Sequence, residues 1–129
     1  MTKIILGLLL LSSTLFSLDW VKDIDTALTV AKKEHKTIMV FVEGEHCKWC
    51  KKMKHHTLSD DVVEKRLEKF VLAKVMRENG VAMSVLPPVR GVPTIFFMKD
   101  NKAIIEEIIG YFDVTDFISY LNDVEKKSE

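Results

Sequence analysis

Two cysteines are the residues of this chain best suited to chemistry. Cys47 and Cys50 are its two cysteines, and two residues separate them. Thiols at this Cys-x-x-Cys spacing form a small disulfide ring or share one metal ion. A bridge that closes so short a loop restricts the unfolded chain little, so it adds little to the stability of a fold. The pair therefore indicates a redox or metal-binding function.

The residues around the pair favour a reactive thiolate. Residues 37–42 form a continuous apolar run, which is typical of a strand buried on both faces. Residues 48–56 are compatible with a helix, which would place Cys47 at a helix N-terminus. The helix dipole and the unpaired N–H groups at that position stabilise a thiolate. Lys48 and Lys51 add positive charge in the same place.

Cys50 would lie one helical turn after Cys47 and within its reach. In thiol exchange a thiolate attacks a disulfide sulfur and forms a mixed disulfide with the substrate. Cys50 could then attack that mixed disulfide on Cys47, release the product and leave a Cys47–Cys50 bridge. The spacing therefore predicts an attacking cysteine followed by a resolving one.

The rest of the chain predicts the elements that hold this segment. Apolar residues three to four positions apart predict helices, and short β-branched runs between turn residues predict strands. Their alternation predicts an α/β fold with a central mixed β-sheet flanked by helices, and sites at the carboxyl ends of its strands. A first helix is capped by Asp19 and carries Trp20, Ile24, Leu28 and Ala31, a second begins at Asp60 or Asp61 and a last at Asp113; strands follow at 70–76, 94–98 and 103–109, with a turn at 99–102 and an irregular stretch at 77–90.

A proline at the start of a strand is the second informative motif. Val92-Pro93 comes directly before the predicted strand 94–98, which begins with Thr94. Proline is permitted there because its missing N–H breaks no ladder hydrogen bond. A cis Val92–Pro93 peptide bond lying against the cysteine pair would leave the Val92 backbone free to pair with an extended substrate chain.

Taken together, these motifs resemble the thioredoxin family over nearly all of the chain after residue 17. The resemblance includes the Cys-Lys-Trp-Cys segment, the Gly-Val-Pro-Thr motif before a strand, the final hairpin and the last helix. It implies a thioredoxin fold whose active site lies at the N-terminus of the helix after the first strand. Within the family, the chain looks most like exported thioredoxin-like proteins, which share its Cys-x-x-Cys-Lys-x-Met segment and the turn 57–60. The resemblance makes Cys47 the attacking cysteine, Cys50 the resolving one and Pro93 the cis-proline.

Several positions depart from the thioredoxin pattern and are candidates for tuning the site. Lys48-Trp49 replaces Gly-Pro, and Trp49 is either a docking surface for partners or core filling. His46 replaces a tryptophan and is either a solvated loop residue or a group that makes reactivity depend on pH. Phe41 stands where thioredoxins have a buried aspartate, so Glu43 is either a substitute proton acceptor or an exposed strand end.

A metal-binding or chaperone-like module is the alternative from a different class. Cys47 and Cys50, with His55 or His56 and with His46, offer soft ligands for zinc or Cu(I). Adjacent histidines on a helix point about 100° apart, which opposes this alternative because both cannot easily face one ion. We therefore expect no metal and no cofactor other than the redox-active disulfide.

The N-terminus predicts export. Residues 1–17 have a positive start, an apolar stretch and a more polar exit, which is the layout of a cleaved signal peptide. Residues 4–18 are 15 uncharged residues, fewer than the roughly 20 that span a bilayer. We expect a thioredoxin-like domain at 18–125 and a frayed tail at 126–129, with no stable membrane insertion after cleavage.

The expected function is thiol–disulfide exchange in the periplasm or outside the cell. The sequence has 19 basic and 19 acidic residues, so no excess charge favours nucleic acid. The resemblance implies a reductase of protein disulfides that receives electrons from a membrane-embedded donor. An oxidase or isomerase with the same site is the close alternative, because the reduction potential sets the direction.

Overall fold

A computed structural model describes residues 18–129. The predicted signal peptide, residues 1–17, lies outside the described part of the chain. In chain order, the elements are β1 (Trp20–Val21), α1 (Ile24–Glu34), β2 (Thr37–Glu43), α2 (Lys48–Lys52) with a π-helical turn (Met53–Thr57), α3 (Asp61–Leu67), β3 (Phe70–Met76), α4 (Gly80–Met83), β4 (Thr94–Met98), β5 (Ile104–Ile109) and α5 (Val114–Ser128).

The strands form one mixed five-stranded sheet with the order β1-β3-β2-β4-β5. The two pairs that involve β3 are parallel, whereas β2–β4 and β4–β5 are antiparallel. The central strand β2 therefore has neighbours on both edges, and its carboxyl end leads directly into the cysteine segment. This is the mixed α/β architecture that the sequence predicted.

Alternation along β2 divides the core into two layers. Met39 and Phe41 face the layer formed with α2, α3 and α5, and Cys50 belongs to this layer. Ile38, Val40 and the other alternate positions face the layer formed with α1 and α4. Residues 38–43 are all buried, which confirms a strand covered on both faces.

The start of the described chain differs from the prediction. Trp20–Val21 is a short strand that pairs with Leu72 and Ala73 of β3, and α1 begins only at Ile24. Asp23, rather than Asp19, caps the helix, because its carboxylate accepts hydrogen bonds from both the backbone N–H and the hydroxyl of Thr26. The cysteine helix consequently follows the second strand of the fold and not the first.

The segment after the cysteines is helical, as predicted, but it is not uniform. An α-helical start, Lys48–Lys52, continues into a π-helical turn, Met53–Thr57. The buried Thr57 donates its hydroxyl hydrogen bond to the Phe112 carbonyl at 2.6 Å. This bond joins the end of the cysteine helix to the connection between β5 and α5.

The remaining boundaries agree with the sequence, with two exceptions. Asp60 caps α3 and Asp113 caps α5, as the sequence predicted. The stretch expected to be irregular contains the short helix Gly80–Met83. The last helix continues to Ser128, where we expected a frayed tail, and Lys127 forms an ion pair with Glu106. Among residues 18–129, no helix has the length and apolarity that crossing a bilayer requires.

Candidate active site

Cys47 occupies the N-cap position of the helix Lys48–Lys52. Its sulfur accepts a hydrogen bond from the Cys50 N–H at 3.1 Å, where an oxygen of serine or aspartate usually caps a helix. When the pair is reduced, the same N–H and the helix dipole favour a thiolate on this sulfur. The prediction that Cys47 lies at a helix N-terminus is therefore confirmed.

The two sulfurs differ in accessibility. Cys47 and Cys50 form a disulfide in the structure. Cys47 is partly exposed, whereas Cys50 is 1% exposed and packs in the core layer with Met53. A large partner can therefore approach Cys47 and not Cys50, which is the arrangement that an attacking and a resolving cysteine require.

The loop that leads to Cys47 fits closely against the proline motif. Gly44 is buried, and a Cβ atom added to it would lie 3.1 Å from Cγ2 of Val92. The Val92–Pro93 peptide bond is cis, and the Pro93 carbonyl accepts a hydrogen bond from the Gly110 N–H at 2.8 Å. The absence of a side chain at Gly44 thus lets the proline motif lie directly against the approach to Cys47.

A residue that sequence analysis did not identify also holds this loop. Glu78 accepts a hydrogen bond from the backbone N–H of Glu45 at 3.1 Å. That bond keeps the pKa of the Glu78 carboxyl below its ordinary value. His46, which follows Glu45 in the chain, is exposed and has a left-handed backbone with φ 54°. Glu78 follows a strand in a turn, so no local pattern in the sequence pointed to this role.

Glu43 is not an exposed strand end. It is 9% exposed, and its carboxylate pairs with the Lys54 ammonium at 2.7 Å. Strand alternation places Glu43 on the same face as Phe41, which packs in the layer that contains Cys50. Lys54 comes four residues after Cys50 and so lies on the same side of the helix. The alternative of a solvated strand end is wrong, and a role in proton transfer stays a prediction.

Three other residues that the sequence singled out near the cysteines are on the surface. Lys48, His46 and Trp49 are exposed, so Trp49 is not core filling. The Trp49 ring contacts Tyr111, which sequence analysis did not single out. Tyr111 precedes the last helix and is far from the cysteines in the sequence, so only the fold could bring it there.

The zinc or Cu(I) alternative has no ligand set in the described part of the chain. Residues 18–129 contain no group of three histidine, cysteine or acidic side chains placed to hold a metal ion. His55 and His56 are both exposed on the π-helical turn.

Comparisons with known proteins agree with this geometry. The Thioredoxin-like family model matches residues 19–100. The thiol:disulfide interchange protein DsbD of Yersinia pestis is 28% identical over 100 residues, which are 73% of this chain and 17% of that protein. The chain thus spans less than a fifth of the length of this relative.

Solved structures show the same fold. A thioredoxin from Thermus thermophilus has a TM-score of 0.75 and 27% identity, with 88% of this chain and 91% of that one covered. The oxidised DsbD C-terminal domain of Neisseria meningitidis has a TM-score of 0.64 and 21% identity, with 76% and 90% covered. The chain belongs to the thioredoxin-like family, and its likeness to these proteins supports thiol–disulfide oxidoreductase activity.

The fit between Gly44 and Val92 predicts a specific sensitivity. Gly44→Ala should displace the Val92 side chain, because the added methyl lies 3.1 Å from Cγ2. We expect a loss of about 1–3 kcal/mol in the free energy of unfolding, as for overpacked cores, together with slower disulfide exchange. Denaturant unfolding and the rate of insulin disulfide reduction would measure the two effects.

Gly80→Ala is the matched control. A Cβ atom at Gly80 meets no described atom within 4 Å, so we expect unchanged exchange and a gain of up to about 1 kcal/mol in stability from a less flexible unfolded chain. If both substitutions change the rate of disulfide exchange equally, the close approach of Gly44 to Val92 does not matter for exchange.

Proposed function

We propose that this protein is a periplasmic reductase of protein disulfides. The difference in accessibility between Cys47 and Cys50 carries this proposal, because it matches a two-step exchange with a large substrate. The signal-like residues 1–17 support export. The likeness to a thioredoxin and to DsbD, a thiol:disulfide interchange protein, supports exchange with other proteins.

The reaction consists of two exchanges. The Cys47 thiolate attacks one sulfur of a substrate disulfide, forming a mixed disulfide and releasing the other substrate sulfur as a thiolate. Cys50 loses its proton and attacks Cys47, which releases the second substrate sulfur and leaves the Cys47–Cys50 disulfide. Two electrons have then passed to the substrate, so a reduced donor must restore the pair. We propose a membrane-embedded dithiol donor for this step.

The substrate sulfur must approach Cys47 from the side of Val92 and Pro93. Val92 is partly exposed, and it packs against the core layer that contains Cys50. The strand pairs of β4 begin at Thr94, so the Val92 backbone lies outside the sheet ladder and is available to an extended chain. In this proposal, the Val92 backbone pairs with the substrate chain, Pro93 fixes the position of Val92, and Lys48 favours the thiolate of Cys47.

Glu43 is proposed as the proton acceptor for Cys50. It is a buried carboxylate, and Lys54, four residues after Cys50, keeps a positive charge beside it at 2.7 Å. A buried base next to a buried thiol would allow Cys50 to ionise only as the mixed disulfide is being resolved. In this proposal, Glu43 takes the role of the buried aspartate that thioredoxins have at the position of Phe41.

The reduction potential tests the direction of electron flow. We expect the purified protein, equilibrated with glutathione buffers, to have a potential of about −200 mV or lower, towards the value of about −270 mV for thioredoxin. A fluorescence or gel-shift assay of the oxidised fraction would measure it, with Cys47→Ser as the blank. A potential near about −120 mV, typical of a strong oxidant, would make the protein an oxidase.

Covalent trapping tests whether proteins are the substrates. Cys50→Ser should accumulate mixed disulfides on Cys47, because the resolving thiol is absent. Non-reducing gels of cells expressing this variant would show the adducts, and reduction should remove them. Cys47→Ser is the matched control and should trap nothing. A Cys50→Ser protein without adducts, whose wild-type parent binds zinc or Cu(I) stoichiometrically, would favour the metal-binding module instead.

The proton-acceptor role of Glu43 has a kinetic signature. In Glu43→Gln, the first attack by Cys47 should keep its rate, whereas resolution by Cys50 should slow by about tenfold or more at neutral pH. Resolution should then rely on solvent as the base and so become faster as the pH rises. Stopped-flow measurement of product release over pH would show this.

Lys54→Gln separates proton transfer from loss of the ion pair. It removes the same 2.7 Å contact but leaves the carboxylate in place. We expect Lys54→Gln to retain most of the resolution rate at neutral pH. If both variants slow resolution equally and with the same pH dependence, the ion pair is structural and Glu43 is not the acceptor.

A further inference from the structure

An aromatic pair, the exposed Trp49 and the half-buried Tyr111, lies beside the disulfide. Trp49, the residue before Cys50, is 49% exposed, and its ring centroid lies 5.7 Å from that of Tyr111 at an interplanar angle of 37°. Because Trp49 stands between the two cysteines in the sequence, a partner that reaches Cys47 must pass close to it. The pair has the size and rigidity of aromatic anchors found at protein interfaces.

Two lysines are placed over these rings. The Lys52 ammonium lies 5.2 Å from the centroid of Trp49 and 4.6 Å from that of Tyr111. The Lys48 ammonium lies 5.7 Å from the centroid of Trp49. These distances are within the range of cation–π attraction. We call Lys48, Trp49, Lys52 and Tyr111 the aromatic–lysine surface.

Within residues 18–129, no acidic side chain pairs with the lysines of this surface. Residues 47–59 include four lysines and no acidic residue, although the chain as a whole has no net charge. Lys54 is paired with Glu43, but within residues 18–129 neither Lys48 nor Lys52 has a carboxylate within 4 Å. The local excess of positive charge is therefore available to a partner.

We propose that the aromatic–lysine surface selects partners whose reacting cysteines are flanked by acidic residues. This inference rests on the proposed function, since it names the class of protein that exchanges disulfides with Cys47. Carboxylates beside the partner's disulfide would approach the two ammonium groups while an apolar neighbour packs on the aromatic pair. Complementary charge of this kind acts mainly on the rate of encounter and is screened by salt.

The test compares short peptides that differ only in the residues around one cysteine. The cysteine is activated as a pyridyl mixed disulfide and flanked by aspartates, serines or lysines. The reduced protein attacks the peptide sulfur and releases pyridine thiol; Cys50 then frees the peptide thiol and leaves the oxidised protein. Absorbance of the released pyridine thiol gives the rate, and the same peptides with dithiothreitol give their intrinsic reactivity.

After this correction, we expect the aspartate peptide to react about tenfold faster than the lysine peptide at low ionic strength. The ratio should approach one at about 1 M salt, where the screening length is about 3 Å. Lys52→Glu should lower the ratio at least about fivefold while leaving the serine peptide's rate within about twofold. Lys99→Glu is the matched control and should retain the ratio, since Lys99 is exposed and follows β4 at the end opposite Pro93.

Each other outcome has a defined meaning. A serine peptide that reacts normally without any charge preference, or a preference unchanged in Lys52→Glu, overturns this inference and leaves the proposed function intact. Failure of all three peptides to react overturns the proposed function itself. Absence of a peptide preference combined with Lys52-dependent sedimentation on vesicles of anionic phospholipid would assign the surface to a membrane and would also overturn the inference.

Discussion

The hydrogen bond from the Cys50 N–H to the Cys47 sulfur is the interaction on which the site depends. It makes Cys47 the cap of the helix Lys48–Lys52, so the sulfur sits where backbone N–H groups and the helix dipole stabilise negative charge. The same helical turn buries Cys50 behind it. One local conformation thus makes the first sulfur reactive and accessible and keeps the second one close and protected from other thiols.

The sheet determines what surrounds this pair. Because β2 is the central strand and its carboxyl end precedes the helix, Glu43 is buried and pairs with Lys54. The antiparallel neighbour β4 brings Pro93 to the same edge, since its first residue pairs near the last residues of β2. Gly44 then permits close contact between the two segments. Strand order and direction therefore assemble three sequence motifs that no single helix or loop could bring together.

Electrostatics divides the lysines of the cysteine helix into two groups. Lys54 is half-buried and pairs with Glu43, and their attraction offsets part of the desolvation cost of the buried carboxylate. Lys48 and Lys52 lie over the aromatic rings at the surface. A chain without net charge can thus be locally cationic around its reactive sulfur. The Lys54–Glu43 pair bears on the proposed proton transfer, whereas Lys48 and Lys52 bear on which partner approaches Cys47.

The sequence alone determined the features that follow from local pattern. The continuous apolar run 37–42 predicted a buried strand, and Asp60 and Asp113 predicted two helix starts. The helix-compatible residues 48–56 placed the Cys47 sulfur at a helix N-terminus. Tertiary structure decided the features that join distant segments. The pairing of Trp20–Val21 with β3, the contact of Tyr111 with Trp49, the bond from Glu45 to Glu78 and the burial of Glu43 beside Lys54 depend on strand order and register. Composition and spacing carry little information about them, because they arise only when the sheet has brought those segments together.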